Sequence, residues 1–201
     1  MPPFLKQAIS VILAVFMAYV MYFGSFLPIR KSQKYIEARQ TPITSLKQFN
    51  TLYDGVLSYK SPVGQDEVVS YYLEMLTEII AQEKRNESPN EALIRHLVGK
   101  AEEWTAPIIE RGAGFIFSRL IFNMANIYRE AMLAVGEETY YQKGVELYRL
   151  GLKYSPDRQI FLYNLFDMYR FRDDKENARK IGERIMEVYN DERVKQILQS
   201  L

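Results

Sequence analysis

A chain of 201 residues with 26 Lys and Arg against 25 Asp and Glu carries a formal charge of only +1, and no basic run is long enough to form a phosphate-binding stripe, which excludes nucleic acid as a partner. At 48% apolar and 25% charged residues the chain is too apolar for disorder and too polar for a multi-span membrane protein. The absence of cysteine removes disulfides, thiolate metal sites, thiol nucleophiles and a cysteine-linked lipid anchor together.

The first element is apolar. Residues 7–29 carry no charge and include Ile9, Val11, Ile12, Leu13, Val15, Phe16, Met17, Val20 and Met21. A helix rises about 1.5 Å per residue and the hydrocarbon core is about 30 Å thick, so this stretch is expected to anchor the chain by spanning the lipid bilayer. Tyr19, Tyr22, Phe23 and Phe26 gather toward one end, where aromatic rings favour the interface, and Gly24 and Pro28 mark the expected helix exit. A cleaved signal peptide would have a shorter apolar stretch ending in a small-x-small site, and no such site stands out. Lys6 precedes the span while Arg30, Lys31, Lys34 and Arg39 follow it, so the charge bias places the soluble part of this single-pass protein in the cytoplasm, behind a bacterial-type inner membrane. The expected organisation is an anchor over 1–29, a basic juxtamembrane helix or linker over 30–42, and a helical domain over 43–201.

Beyond Arg30 the breakers fall at Pro42, Pro62 with Gly64, Pro89, Pro107, Gly112 with Gly114, Gly136 and Pro156, and the segments between them have helical periodicity. Leu46, Phe49, Leu52, Tyr53, Val56 and Leu57 line one face of a helix ending near Tyr59. A second begins at the acidic pair Asp66 and Glu67 and carries Val69, Tyr72, Leu73, Leu76, Ile79 and Ile80. Ser88, Pro89 and Glu91 predict a third helix start, with the serine as cap and the proline in the first helical position.

The C-terminal third has the spacing of a helix-hairpin repeat. Counting back from Pro156, Gly144, Tyr148 and Gly151 supply a small residue, a large aromatic and a small residue on a second helix. Counting forward, Leu162, Leu165 and Tyr169 fall on the next first helix, and Ala178 on its partner. On these residues the chain resembles tetratricopeptide repeat proteins over 115–190, and less closely over 43–110. The resemblance implies an all-α hairpin-repeat solenoid that binds proteins or peptides. It departs from the family pattern at Tyr128, about seven residues too far from Gly144 and so indicating an elongated hairpin, at Gly182 where an aromatic is usual, and at Asn190 where a proline is usual. The order of span, basic helix and the stretch Leu57-Ser58-Tyr59-Lys60-Ser61-Pro62-Val63-Gly64-Gln65-Asp66-Glu67 also resembles the C-terminal region of O-antigen ligase-type membrane proteins. That resemblance implies a non-catalytic module or subunit of such a glycan-transferring enzyme, because the other spans and loops of those enzymes do not occur in this chain.

No catalytic constellation emerges. His96 is the only histidine and has no second ligand in sequence; Glu102-Glu103, Glu137-Glu138 and Asp173-Asp174 are adjacent pairs that do not face each other on a helix and read as surface or loop charges. The GxG of Arg111-Gly112-Ala113-Gly114 lacks a preceding strand and reads as a break between helices, and Trp104 as a packing residue. No metal or cofactor is expected. Tyr72, Tyr148 and Tyr169 are assigned to the core, which leaves Tyr71, Tyr140, Tyr141, Tyr154 and Tyr163, with Arg149 and Arg170, as the candidate partner-binding surface. The expected function is a membrane-anchored scaffold for a protein or peptide partner in cell-envelope polysaccharide assembly. Self-association through the hairpin around Ile121 to Val135 is the further alternative.

Overall fold

The structure is a computed structural model that describes residues 2–114 and 116–201; among them every regular element is helical and no strand occurs. One compact unit runs to Val69 and the other covers Ser70–Leu201.

In the first unit, α1 (Pro3–Met21) buries no residue at all. Its start is unstrained, because Pro3 occupies the first turn, where its missing N–H is not needed. Val11 at 63% and Phe16 at 58% exposure are typical of its apolar surface, and this helix is long and apolar enough to cross a membrane. Gly24 and Pro28 do not end it, contrary to the expectation from sequence. A π-type stretch, Tyr22–Phe26, leads directly into α2 (Leu27–Gln40). The Leu27 N–H reaches back to the Tyr22 carbonyl, and this wider turn makes room for Pro28, whose ring would clash with the carbonyl four residues earlier in a regular α-helix. Stacking of Tyr22 on Phe26 at 5.5 Å and Tyr19 against Phe23 at 4.4 Å lines this turn with rings, and the Arg30 guanidinium covers Phe26 at 5.4 Å.

The basic segment after the apolar helix is therefore helix, not linker, as far as Gln40. One of its cations is not a surface charge: Lys31 is 1% exposed, and its ammonium donates to the Tyr59 carbonyl at 2.9 Å and to Gln65 Oε1. Helix α3 (Leu46–Leu57) starts at Ser45, whose hydroxyl accepts from the Gln48 N–H at 3.2 Å. It buries Phe49, Tyr53, Val56 and Leu57 of the expected face, while Leu46 is exposed at the first turn. Lys31 thus ties α2 to the segment that follows α3. Burial lowers its pKa from the ordinary 10.5, so two fixed acceptors hold the ammonium where water cannot.

The second unit begins within α4 (Gln65–Glu83), in which Tyr72, Leu73, Leu76 and Ile80 are buried as the periodicity requires. Five of the elements that follow are α5 (Glu91–Arg111), α6 (Phe117–Val135), α7 (Glu138–Tyr154), α8 (Gln159–Phe171) and α9 (Lys175–Tyr189), with α10 (Glu192–Ser200) last. From α5 onward each helix packs on its chain neighbours. The cap of α5 is Asn90 rather than Ser88: its Oδ1 accepts from the Leu93 N–H at 3.0 Å, and its own N–H is held by Glu83 Oε1 at 2.8 Å. Pro107 lies inside α5 instead of ending it. Both Pro107 and Glu103, whose carbonyl loses its partner, are exposed, so water can replace the missing bond. The helix ends four residues later, where Gly112 takes φ of 66°.

Small residues set the spacing of the helices that follow. A Cβ on Gly144 would stand 3.2 Å from Met168 Cε and 3.6 Å from Tyr128 Cβ, one on Gly151 would overlap the Phe161 ring, and one on Gly182 would lie 2.7 Å from Leu198 Cδ2 and 2.9 Å from Phe166 Cε2. Tyr148, Leu162, Leu165, Tyr169 and Ala178 are all buried. The hairpin of α6 and α7, 19 and 17 residues long, exceeds that of α8 and α9, at 13 and 15 residues. Asn190 closes α9 with φ of 49°.

Gly151→Ala is expected to destabilise the protein by about 1–2 kcal/mol, since overpacking against Phe161 outweighs the gain in helix propensity. Gly99→Ala, on an exposed face of α5 with nothing within 4 Å, is expected to stabilise it by about 0.5–1 kcal/mol. Thermal unfolding of the two variants side by side, followed by circular dichroism, checks both signs.

Candidate binding groove between α5 and α7

A cavity of about 280 Å³ opens where α5 and α7 pass over α6. Its floor is apolar, made by Ala106 and Ile109 of α5, Met124 of α6 and Leu147 of α7. Thr105 also lines it, with its hydroxyl turned back on the Ala101 carbonyl and 3.5 Å from Met124 Sδ, so it presents little free polarity.

One wall is a polar cluster that draws on three helices. Glu102 Oε1 accepts from the Tyr128 hydroxyl at 2.7 Å and from the Lys143 ammonium at 2.6 Å, and Lys143 also covers the Tyr128 ring at 5.4 Å. Tyr128 is itself stacked on Tyr140 at 6.1 Å, which fixes its plane from behind. Burial first, and then the Glu102 carboxylate, push the Tyr128 hydroxyl far above its ordinary pKa of 10, so it remains a donor at any physiological pH. Glu110 and Glu146 complete the rim from α5 and α7; both are exposed, and neither has an ion-pair partner among the described residues. The arrangement presents an apolar floor beneath an anionic edge, with a wall held rigid by hydrogen bonds.

None of the seven residues singled out from sequence lines this groove. Tyr140 is 7% exposed and lies in the core behind Tyr128, so it forms no part of an exposed surface. Tyr71 is exposed beneath the Arg119 guanidinium at 5.0 Å, and Tyr141 is half-buried beneath that of Arg172 at 5.1 Å. Arg149 donates to the Tyr169 hydroxyl at 2.8 Å, while Arg170 pairs with Asp167 at 3.3 Å. Tyr154 is exposed and meets Phe117 edge-on at 5.1 Å. Tyr163 donates to Asp191 Oδ2 at 2.7 Å; partial burial and that carboxylate push its hydroxyl up to about 12. All seven thus contact neighbouring side chains, at separate places on α4, α7 and α8.

Two charged clusters went unread in the sequence. Glu102, with its side chain 38% exposed, is paired with Tyr128 and Lys143, and Glu130, 5% exposed, accepts from Lys84 and from Arg129 Nη2 at 2.8 Å. Burial pushes the Glu130 carboxyl up, but those two donors outweigh it and hold its pKa below the ordinary 4.5. Glu137 and Glu138 are surface ions paired with Arg95 and Arg172. Asp173 adopts φ of 54° in the turn before α9, and Asp174 caps that helix through the Asn177 N–H at 3.1 Å. His96 and Trp104 are half-buried on α5, and Gly112 and Gly114 do break the chain between α5 and α6. Among the described residues no three His, Cys, Asp or Glu side chains are grouped to hold a metal ion.

Comparison with protein-family models, with curated proteins and with solved structures finds no match to this chain.

Tyr128→Phe removes a donor from the partly buried Glu102 and is expected to cost about 1–2 kcal/mol. A raised tyrosine pKa contributes stability that is complete below the ordinary value of 10 and is lost as pH rises through the folded value. The variant should therefore lose less stability than the parent between about pH 9 and 11. Urea unfolding across that range measures the difference between the two slopes.

Proposed function

We propose that this protein is a membrane-anchored helical scaffold that binds a protein or peptide partner, acting in cell-envelope polysaccharide assembly. The observation that carries the binding role is the open groove between α5 and α7, whose apolar floor lies uncovered beside a preorganised polar wall. A tetratricopeptide-like succession of hairpins supports it, because Gly144 and Gly151, at the small positions of such a repeat, lie in close contact with Met168 and Phe161. The anchoring role rests on α1, whose apolar side chains have no protein cover, and on the unbroken helix that carries it into α2. The envelope setting rests on the resemblance of residues 57–67 to O-antigen ligase-type proteins. In this structure that stretch supplies both acceptors of Lys31, so it is the part that grips the juxtamembrane helix.

If α1 is an uncleaved anchor, intact-mass measurement of the protein from membranes will retain its N-terminal residues, and carbonate washing will leave it in the pellet. Val11→Arg with Phe16→Arg should release it, at a cost of about 2.5–3.5 kcal/mol for each arginine near the centre of a span. A mass lacking the first helix would remove the anchor from the proposal. For the binding role, the full-length chain is crosslinked in its native membranes and the retained proteins are identified by mass spectrometry. Recovery of a multi-span glycan-assembly protein is the expected result; retention of soluble proteins alone would sever the polysaccharide link, and retention of none would sink the scaffold.

A further inference from the structure

The groove between α5 and α7 has a charge imbalance that narrows what can fill it. Its cation, Lys143, is already committed to Glu102, while Glu110 on one bank and Glu146 on the other are exposed and without an ion-pair partner among the described residues. Anionic lipid headgroups and acidic peptides would be repelled from such an edge. The cavity, at about 280 Å³, lies just below the roughly 300–1,000 Å³ of sites that enclose a whole small molecule, and its floor is aliphatic and sulfur-lined rather than polar. It suits one or two side chains better than a free metabolite.

Resting on the scaffold reading above, we infer that this groove docks a partner segment in which an apolar side chain stands next to an arginine or lysine. The apolar side chain fills the floor between Ile109, Met124 and Leu147. The basic side chain lays its aliphatic stem along the same surface and places its charge between Glu110 and Glu146. Because these two carboxylates are exposed, they orient and accelerate the encounter, while burial against the floor holds the complex. The Glu102–Tyr128–Lys143 cluster has no charge left to offer, and its part is to keep the wall in place.

The test uses the full-length protein in its native membranes with a photocrosslinking phenylalanine analogue at Ala106, on the α5 bank. A second position, Gln142 on α7, guards against occlusion of the floor, and Glu176 on α9 is the remote control. The expected result is a crosslink from 106 or 142 to a protein segment with Arg or Lys within three residues of the linked side chain. Glu110→Lys with Glu146→Lys should reduce that crosslink at least about fivefold, since two exposed attractions become repulsions, without changing the melting curve. A crosslink to an acidic segment, to lipid or to a second copy of this chain overturns the inference, as does one indifferent to the charge reversal. Partner crosslinks from 176 alone would remove the groove and leave the scaffold standing, whereas no protein crosslink from any position, and none retained from membranes, would remove both.

Discussion

A helix can approach its neighbour only as closely as the side chains between them allow, and from α6 to α10 that limit is lifted at Gly144, Gly151 and Gly182. At Gly151 and Gly182 the space a Cβ would occupy is filled by the Phe161 ring and by Leu198 with the Phe166 ring, and at Gly144 the Met168 methyl would stand only 3.2 Å from it. Close approach in turn lets the large rings sit lengthwise in the interfaces, so Tyr148 and Phe161 are wholly buried. In the groove between α5 and α7, both helices pack on α6, and across it the Lys143 ammonium of α7 reaches Glu102 of α5 at 2.6 Å.

These contacts were legible in the sequence because they are periodic. The spacing of Gly144, Tyr148 and Gly151 before Pro156, and of Leu162, Leu165 and Tyr169 after it, identifies buried positions without a structure, and each of these residues is buried. The uncharged run over 7–29 is legible from length and composition alone, and it lies in a helix long and apolar enough to cross a membrane. The events at prolines were not. By sequence Pro28 and Pro107 mark helix exits, yet the chain runs through both, once by widening a turn and once by leaving an unpaired carbonyl on an exposed face. A proline reports the loss of one hydrogen bond; whether that ends the helix depends on what can replace the bond, which local sequence does not contain.

The polar contacts were illegible for a different reason: they join residues distant in sequence. Nothing near Lys31 indicates that its ammonium is buried against the Tyr59 carbonyl, and nothing near Glu102 indicates Tyr128 and Lys143. Charge counting treated Lys31 as one of four cations flanking a span, although it is a structural tie. The tyrosines are a different case. Their number suggests a binding face, but Tyr163 already donates to Asp191, and Tyr71 and Tyr141 already lie beneath Arg119 and Arg172. A tyrosine that serves a neighbour in this way is less free to serve a partner.

Several buried or partly buried charges in this protein are each held by partners from distant parts of the chain. Lys31 has two fixed acceptors, Glu130 has Lys84 and Arg129, and Glu102 has Tyr128 and Lys143. Such clusters add little net stability, because desolvation offsets most of the attraction, but each misplaced packing would strand a charge. An all-helical chain with repetitive apolar faces has many near-equivalent ways to slide one helix along another, and a shift by one turn would cost little in apolar burial alone. The shift would separate Lys143 from Glu102 and Arg129 from Asn164, leaving half-buried ions without partners. The glycine contacts therefore set how close the helices lie, and the charged clusters set their register. A groove with a defined floor and edge requires both.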